Sequence, residues 1–410
     1  MGNRLGSCVF RCGYTLYADT CIGRCIHDKY IDAFQKEFGE NAVHSQLTPF
    51  AFNDLLILPI PVLTSNYAYL VADVCDNNFV LIDVGDASLI KNVLFEPDAI
   101  LTTHKHWDHS GGNKAMRSTF PKLKIYGGAL DHVPDSTHGV CDGDVLVFGR
   151  LKFTAIWTPG HTKGHIVWKL HGDKFGTSDS LFTGDHLMLA GCGAAFEGPV
   201  KQLISSLDIL KVLPSDTLVW PGHEVGLENL QLAVFIEPEN ACAVVKLVWA
   251  TNQREAMLCT CPSTLGEEMK YNPFLRTTDE TFWKALGIYD NIKDKSLKKD
   301  IIGPLIFDCI IAKAMEMRRL RHALEKVNIE SNQEGVSPQP LLDSNVDAEK
   351  VSVTIPESFR VVVQGSRSQS PKREPGSRSQ SPKREPGSRS QSPKREPGSR
   401  SQSPKRGAEV

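Results

Sequence analysis

A chain of 410 residues with 41% hydrophobic and 23% charged residues has material for a sizeable core and is not wholly disordered. The formal net charge of −2 excludes a protein uniformly built to bind nucleic acid, and no nucleic acid is expected as a partner. That average hides a division: residues 365–410 hold twelve Lys/Arg against four Asp/Glu, leaving thirty-four basic and forty-four acidic residues upstream, so a tail of +8 follows a body of −10.

In chain order, residues 1–54 mix aromatics, cysteines and charges without a clean period and read as an adaptor segment with weak helical tendency over 29–38. Met removal would expose Gly2, but Ser7 falls one place beyond the myristoylation pattern. Cys8 and Cys12 could take acyl chains, so membrane attachment is expected only if this end is acylated. Eleven scattered cysteines, with no basic-then-apolar signal segment, read as reduced thiols in an intracellular compartment, cytoplasmic or mitochondrial. No run approaches about 18 consecutive apolar residues, the length a spanning helix needs.

Residues 55–225 alternate short β-branched runs with turn signals. Strands are expected over 55–62, 67–72, 79–84, 99–103, 124–126, 145–157 and 217–220, with a helix whose Leu203, Ile204, Leu207 and Leu210 share one face. This is a layered α/β pattern. Residues 226–327 turn helical, with periodic stretches over 224–235, 238–257 and 305–327. Residues 328–364 are polar, contain Pro338, Pro340 and Pro356, and read as a linker with one short alternating run at Val351, Val353 and Ile355. From residue 365 the segment GSRSQSPKREP recurs every eleven residues. Lacking aliphatic and aromatic side chains, it is expected to be disordered. Each SPKR, at Ser370, Ser381, Ser392 and Ser403, suits a proline-directed kinase, with a constitutive solvated spacer as the alternative.

The chemistry-bearing residues sit where apolar runs end. The run at 99–103 delivers the chain to HKHWDHSGG, carrying His104, His106, Asp108 and His109. Alternate residues of an extended segment point the same way, so His104 and His106 can grip one cation while Asp108 and His109 turn towards a second. Gly111 and Gly112 are expected to let the backbone turn away into a helix. Three more junctions repeat this logic: TPGHTKGH with His161 and His165, TGDH with Asp185, and PGHE with His223. His165 and His186 are expected to orient the ligands rather than bind. His27, His44, His132, His138, His171 and His322 read as surface or internally satisfied residues. Structural metal sites favour closed, Cys-rich sets, whereas a His/Asp cluster leaves coordination positions for water, which favours catalysis.

These junctions resemble the metallo-β-lactamase superfamily and, within it, the glyoxalase II type, the hydroxyacylglutathione hydrolases. The segments GCGAAFEG (191–198), EPEN (237–240) and PSTLGEEMKYNPFLR (262–276) carry the likeness further, across about 55–324. FRCGYTLYADT, at 10–20, resembles a variant branch of that family. The resemblance implies a four-layer αβ/βα sandwich, then a helical substrate-binding domain and the basic tail. It implies His104, His106 and His161 on one metal, Asp108, His109 and His223 on a second, and Asp185 bridging. Asp185 and Asp108 thereby become the catalytic carboxylates of two divalent ions, zinc first, with iron or manganese as alternatives. A metal-bridging hydroxide would attack the carbonyl of a glutathione thioester or related acyl thioester.

Where the family generally has a basic residue and then Tyr in the GCG loop, this chain has Ala194 and Phe196, and Val225 replaces a second Tyr. Arg318 and Arg321, three apart on a helix, could meet a substrate carboxylate or form a solvated face. Two other readings share the ligands: a mononuclear iron persulfide dioxygenase, and a metal-stabilised regulatory scaffold with weak or no thioesterase activity.

Overall fold

The computed structural model describes residues 43–88, 90, 96–291 and 299–333, together with Cys25 and Lys29. The FRCGYTLYADT segment, most of the 29–38 helical stretch, the acylation sites, the 351–355 run and the GSRSQSPKREP repeats lie outside the described residues.

The first sheet runs in strand order from β1 (Phe50–Phe52) through β2 (Leu55–Val62), β3 (Asn66–Asp73), β4 (Asn78–Ile82), β5 (Ala99–Leu101) and β6 (Lys124–Gly128) to β7 (His138–Val140). Pairing is antiparallel from β1 to β4 and parallel from β4 to β7. A short helix α1 (Trp107–Ser110) and α2 (Asn113–Thr119) lie between β5 and β6.

The second sheet contains β8 (Val145–Phe148), β9 (Leu151–Trp157), β10 (Ile166–Leu170), β11 (Ser180–Gly184), β14 (Leu218–Pro221) and β15 (Ser263–Thr264), in the order β15-β14-β11-β10-β9-β8. A hairpin, β12 (Leu187–Met188) and β13 (Gly191–Cys192), and helix α3 (Val200–Leu210) separate β11 from β14. The helical part comprises α4 (Gly226–Ile236), α5 (Ala241–Glu255), α6 (Leu265–Tyr271), α7 (Glu280–Ala285) and α8 (Lys299–Gln333).

Period-two alternation explains the layering. Val80, Ile82, Ala99 and Leu101 join Phe182, Leu218 and Trp220 in the core between the sheets. Their neighbours Leu81 and Ile100 face outward onto Met116 of α2, whereas Leu181 and Val219 face the opposite way onto Leu203, Leu207 and the C-terminal helices. Both faces of the central strands are covered, which is why those strands read as continuous apolar runs. The result is a four-layer αβ/βα sandwich with a C-terminal helical region.

Three expectations change. The single run at 145–157 is a hairpin, β8 with β9, closed at Gly149 and Arg150 with Phe148 opposite Leu151. β10, which was not among the expected strands, occupies the middle of the second sheet. The last helix passes through Pro304 rather than starting beyond it, because Ile302, Ile306 and Ile310 are all buried against the second sheet's helices. A proline in a helix interior costs about 3 kcal/mol, and burying one such side chain returns about 1.5–3 kcal/mol.

Candidate metal centre

Five strand ends converge on one side of the sandwich: Asp83 follows β4, His104 to His109 follow β5, His161 follows β9, Asp185 follows β11 and His223 follows β14. Open α/β sheets bind ligands at such ends.

Three overlapping groups of candidate ligands result, the third joining His104 and His109 to Asp185. His104, His106 and His161 form the first, with His106 Nδ1 2.9 Å from His104 Nε2 and 3.0 Å from His161 Nε2. Asp108, His109 and His223 form the second, with the two Nε2 atoms 3.3 Å apart and Asp108 Oδ2 3.5 Å from His223 Nε2. Asp185 lies between them. Its Oδ2 is 3.3 Å from His161 Nε2, while its Oδ1 is 3.2 Å from His109 Nε2 and 3.1 Å from His223 Nε2.

Proton bookkeeping explains which nitrogens face inward. Asp83 Oδ2 accepts from Thr103 Oγ1 at 2.7 Å and from His109 Nδ1 at 2.9 Å, and Asp83 Oδ1 accepts from Thr103 N at 2.7 Å. With its own proton committed, Thr103 Oγ1 accepts from His104 Nδ1, 3.0 Å away. His161 Nδ1 donates to the Ala194 carbonyl at 3.0 Å. Each neutral ring carries one N–H, so His104, His109 and His161 all present Nε2 lone pairs to the centre. Burial holds His106 and His161 down to about 4, so both are neutral imidazoles at pH 7. Around His109 and His223 burial acts the same way, but Asp185 and the neighbouring carboxylates outweigh it and raise proton affinity. A divalent cation at the centre would compete with those protons for the same nitrogens.

The donor set fits a divalent metal. Among the described residues, no well-aligned hydrogen bond reaches buried Asp185 Oδ1 although two imidazole nitrogens lie beside it, an arrangement that suits lone pairs converging on a cation.

The surrounding loops are interlocked. Phe196 packs its ring 5.1 Å from His161 and 6.3 Å from His106, edge to face. Lys105 and Glu197 form an ion pair that ties the first histidine loop to the GCG loop, and Glu197 Oε2 accepts from Lys163 N at 2.9 Å. The PSTLGEEMKYNPFLR segment supports this loop from the other side. Buried Glu268 accepts from Ala190 N, and Asn272 Nδ2 donates to Gly191 O, at 2.9 and 3.0 Å.

Several expectations need correction here. Asp108 and His109 stand on a helical turn, α1, and not on an extended segment, while the helix expected at the glycines is α2, capped by Gly112. Gly111 and Gly112 have helical φ of −62° and −81°; they are needed because a Cβ would lie 2.4 Å from Trp107 O or 2.7 Å from Val84 O. His165 stacks on His104 at 5.1 Å and sends its Nδ1 to Thr158, and the His186 ring lies 5.8 Å from that of His165. Hydrogen bonds to the rings of His104, His109 and His161 come from Thr103, Asp83 and the Ala194 carbonyl. Asp83 carried a signal that went unread, since it too ends an apolar strand. Arg318 and Arg321 are exposed on α8, where Arg321 donates to Gln231 of α4 at 2.5 Å. The described cysteines are all free.

Residues 64–223 match the metallo-beta-lactamase superfamily model, and residues 224–301 match the hydroxyacylglutathione hydrolase C-terminus. The cytoplasmic hydroxyacylglutathione hydrolase of Arabidopsis thaliana is 40% identical over 253 residues, 60% of this chain and 98% of that protein. The chain belongs to the glyoxalase II, or hydroxyacylglutathione hydrolase, family. A hydroxyacylglutathione hydrolase-like protein of Gallus gallus is 38% identical over 56% of this chain and 82% of its own length. Among solved structures, the BLEG-1 B3 metallo-beta-lactamase aligns with a TM-score of 0.39 at 22% identity, over 56% of this chain and 99% of that one. In this glyoxalase II family member, the boundary between the two matched models falls between His223 and Glu224, at the last histidine of the centre.

Proposed function

We propose that the protein hydrolyses an acyl thioester of glutathione, or a related acyl thioester, at a centre of two divalent metal ions. The carrying observation is Asp185, a single buried carboxylate whose two oxygens face different ligand sets. Family membership supports the substrate class, since the Arabidopsis relative is named a hydroxyacylglutathione hydrolase.

When bound, the ions supply Lewis acidity, polarising the thioester carbonyl and making water nucleophilic at neutral pH. His104, His106 and His161 would hold the first, Asp108, His109 and His223 the second, and Asp185 both; zinc suits this nitrogen and oxygen set, as do iron and manganese. The remaining work belongs to side chains that hold and exclude. Asp83 and Thr103 keep His104 and His109 in the tautomer that turns Nε2 inward. Phe196 covers His106 and His161 and keeps solvent from that side.

A thiolate leaves readily, so the chain needs no strong proton donor beside the sulfur. With Ala194 and Phe196, the GCG loop lacks a cation and a phenol, which shifts recognition of the glutathione carboxylates to Arg318 and Arg321 on α8. No helix among the described residues is long and apolar enough to cross a membrane. An intracellular site of action, with proline-directed phosphorylation of the SPKR serines, completes the reading.

Metal analysis of the purified full chain, coupled to a panel of acyl thioesters, tests it. About two ions per chain and thiol release from S-lactoylglutathione are expected. Metal-loaded protein that turns over no acyl thioester overturns the proposal.

A further inference from the structure

Behind the second ligand set lies a buried polar strap that the proposed chemistry does not use. Asn66, the first residue of β3, is 2% exposed, and its Nδ2 donates to Asp108 Oδ2 at 3.1 Å and to the Asp108 carbonyl at 3.3 Å. Only the NH2 end of an amide can face two oxygens, so the chemistry of its partners determines how Asn66 points. Both bonds end on one residue. They hold the side chain and main chain of Asp108 together, which limits the rotation of the carboxylate that faces His109 and His223. The same Nδ2 is 3.4 Å from His223 Nε2, and the Asn66 backbone bridges to His223.

On its far side Asn66 is held by residues upstream of β1. His44 Nε2 donates to the Asn66 carbonyl at 2.9 Å. Ser45 Oγ lies 3.1 Å from His44 Nδ1 and 3.0 Å from Tyr67 Oη, and accepts from Arg254 Nη1 at 2.8 Å; Arg254 Nη2 donates to the His44 carbonyl. Tyr67 Oη donates in turn to Glu224 Oε2 at 2.7 Å, one residue beyond His223. His44 and Ser45 are 8% and 0% exposed, unusual burial for a polar pair.

We propose that Asn66 is the positioning residue of the Asp108, His109 and His223 set, and that the His44–Ser45 strap holds it there. Residues 43–46 then belong to the metal centre and not to an adaptor. This rests on reading those three residues as a metal set.

The test challenges the zinc-loaded full chain with graded chelator and follows zinc release, with the thermal unfolding midpoint measured alongside. In Asn66→Leu and His44→Phe, one of the two ions should leave at about 10- to 100-fold lower chelator while the other is retained as in wild type. His44→Gln, which keeps a donor near the Nε2 position, should restore wild-type release. Wild-type release of both ions from Asn66→Leu and His44→Phe overturns the proposal. So does equal loss of both ions with a lowered midpoint, the signature of a merely structural role. A wild-type chain that holds a single ion overturns the two-set reading and this inference with it, and does so before any substitution is made.

Discussion

Asp83 Oδ2 accepts the Nδ1 proton of His109 at 2.9 Å, with both groups almost fully buried. Through Thr103 the same oxygen also governs His104, so one carboxylate sets the tautomers of histidines in two different ligand sets. Its backbone has φ of 51°, a left-handed conformation that Asp tolerates better than most residues with a side chain. In Asp83→Asn, an amide would bring N–H groups against donors already in place. Metal retention against a chelator should weaken by about 10- to 100-fold, and unchanged retention would remove Asp83 from this role.

Asp185→Asn removes the charge and one of the two oxygens that face the ligand sets. Bound metal should fall from about two ions per chain to about one, and kcat on S-lactoylglutathione by about 100-fold or more. Metal analysis and steady-state kinetics on one preparation check both. Full activity with a single ion would contradict the bridging assignment.

Gly193→Ala tests how closely the GCG loop must approach. A Cβ there would lie 2.0 Å from the Asp185 carbonyl oxygen and 2.9 Å from His161 Nδ1, and backbone cannot yield as a flexible side chain can. We expect a loss of about 1–3 kcal/mol in unfolding free energy together with a raised KM. A variant as stable and active as wild type would show that the loop tolerates displacement.

His44 should shape the acid limb of stability. Burial, assisted by the charges of Arg254 and His223, lowers its pKa from 6.5 to about 4 against the opposing hydrogen bond to Asn66. The unfolded chain therefore binds the proton first, and stability falls as pH drops from about 6.5 towards 4, by up to about 3 kcal/mol in all. Denaturant unfolding of His44→Gln should show a shallower acid limb in that window, and a limb as steep as wild type would count against the assignment.

Phe196→Tyr restores a phenol above the first histidine set, next to rings 5.1 and 6.3 Å away. One new hydrogen bond of about 1 kcal/mol should lower KM for S-lactoylglutathione about fivefold with little change in kcat. A KM that does not move would assign Phe196 to packing alone.

Much of the metal centre was legible because its signals are local. An apolar run ending in His or Asp is visible without knowing what lies beside it, and the fold brings the seven candidate ligands from four such junctions close together. Strand β2 was readable to the residue for the same reason. Elsewhere local signals misled: the last helical stretch read as starting at residue 305, and the 145–157 run concealed a tight turn. Periodicity is blind to the burial that carries a helix through a proline and to a two-residue hairpin.

By itself the sequence determined the identity of the candidate ligands, the order of the strand ends that carry them, and the departures at Ala194, Phe196 and Val225. Only the tertiary structure decided which imidazole nitrogen faces inward, and that Asp83, Thr103, Asn66 and the His44–Ser45 strap lie behind the candidate ligands. The reason is physical: residue type and spacing are properties of a few neighbouring positions. A tautomer depends on a partner brought in from another strand, as Asp83 is to His109 and the Ala194 carbonyl to His161.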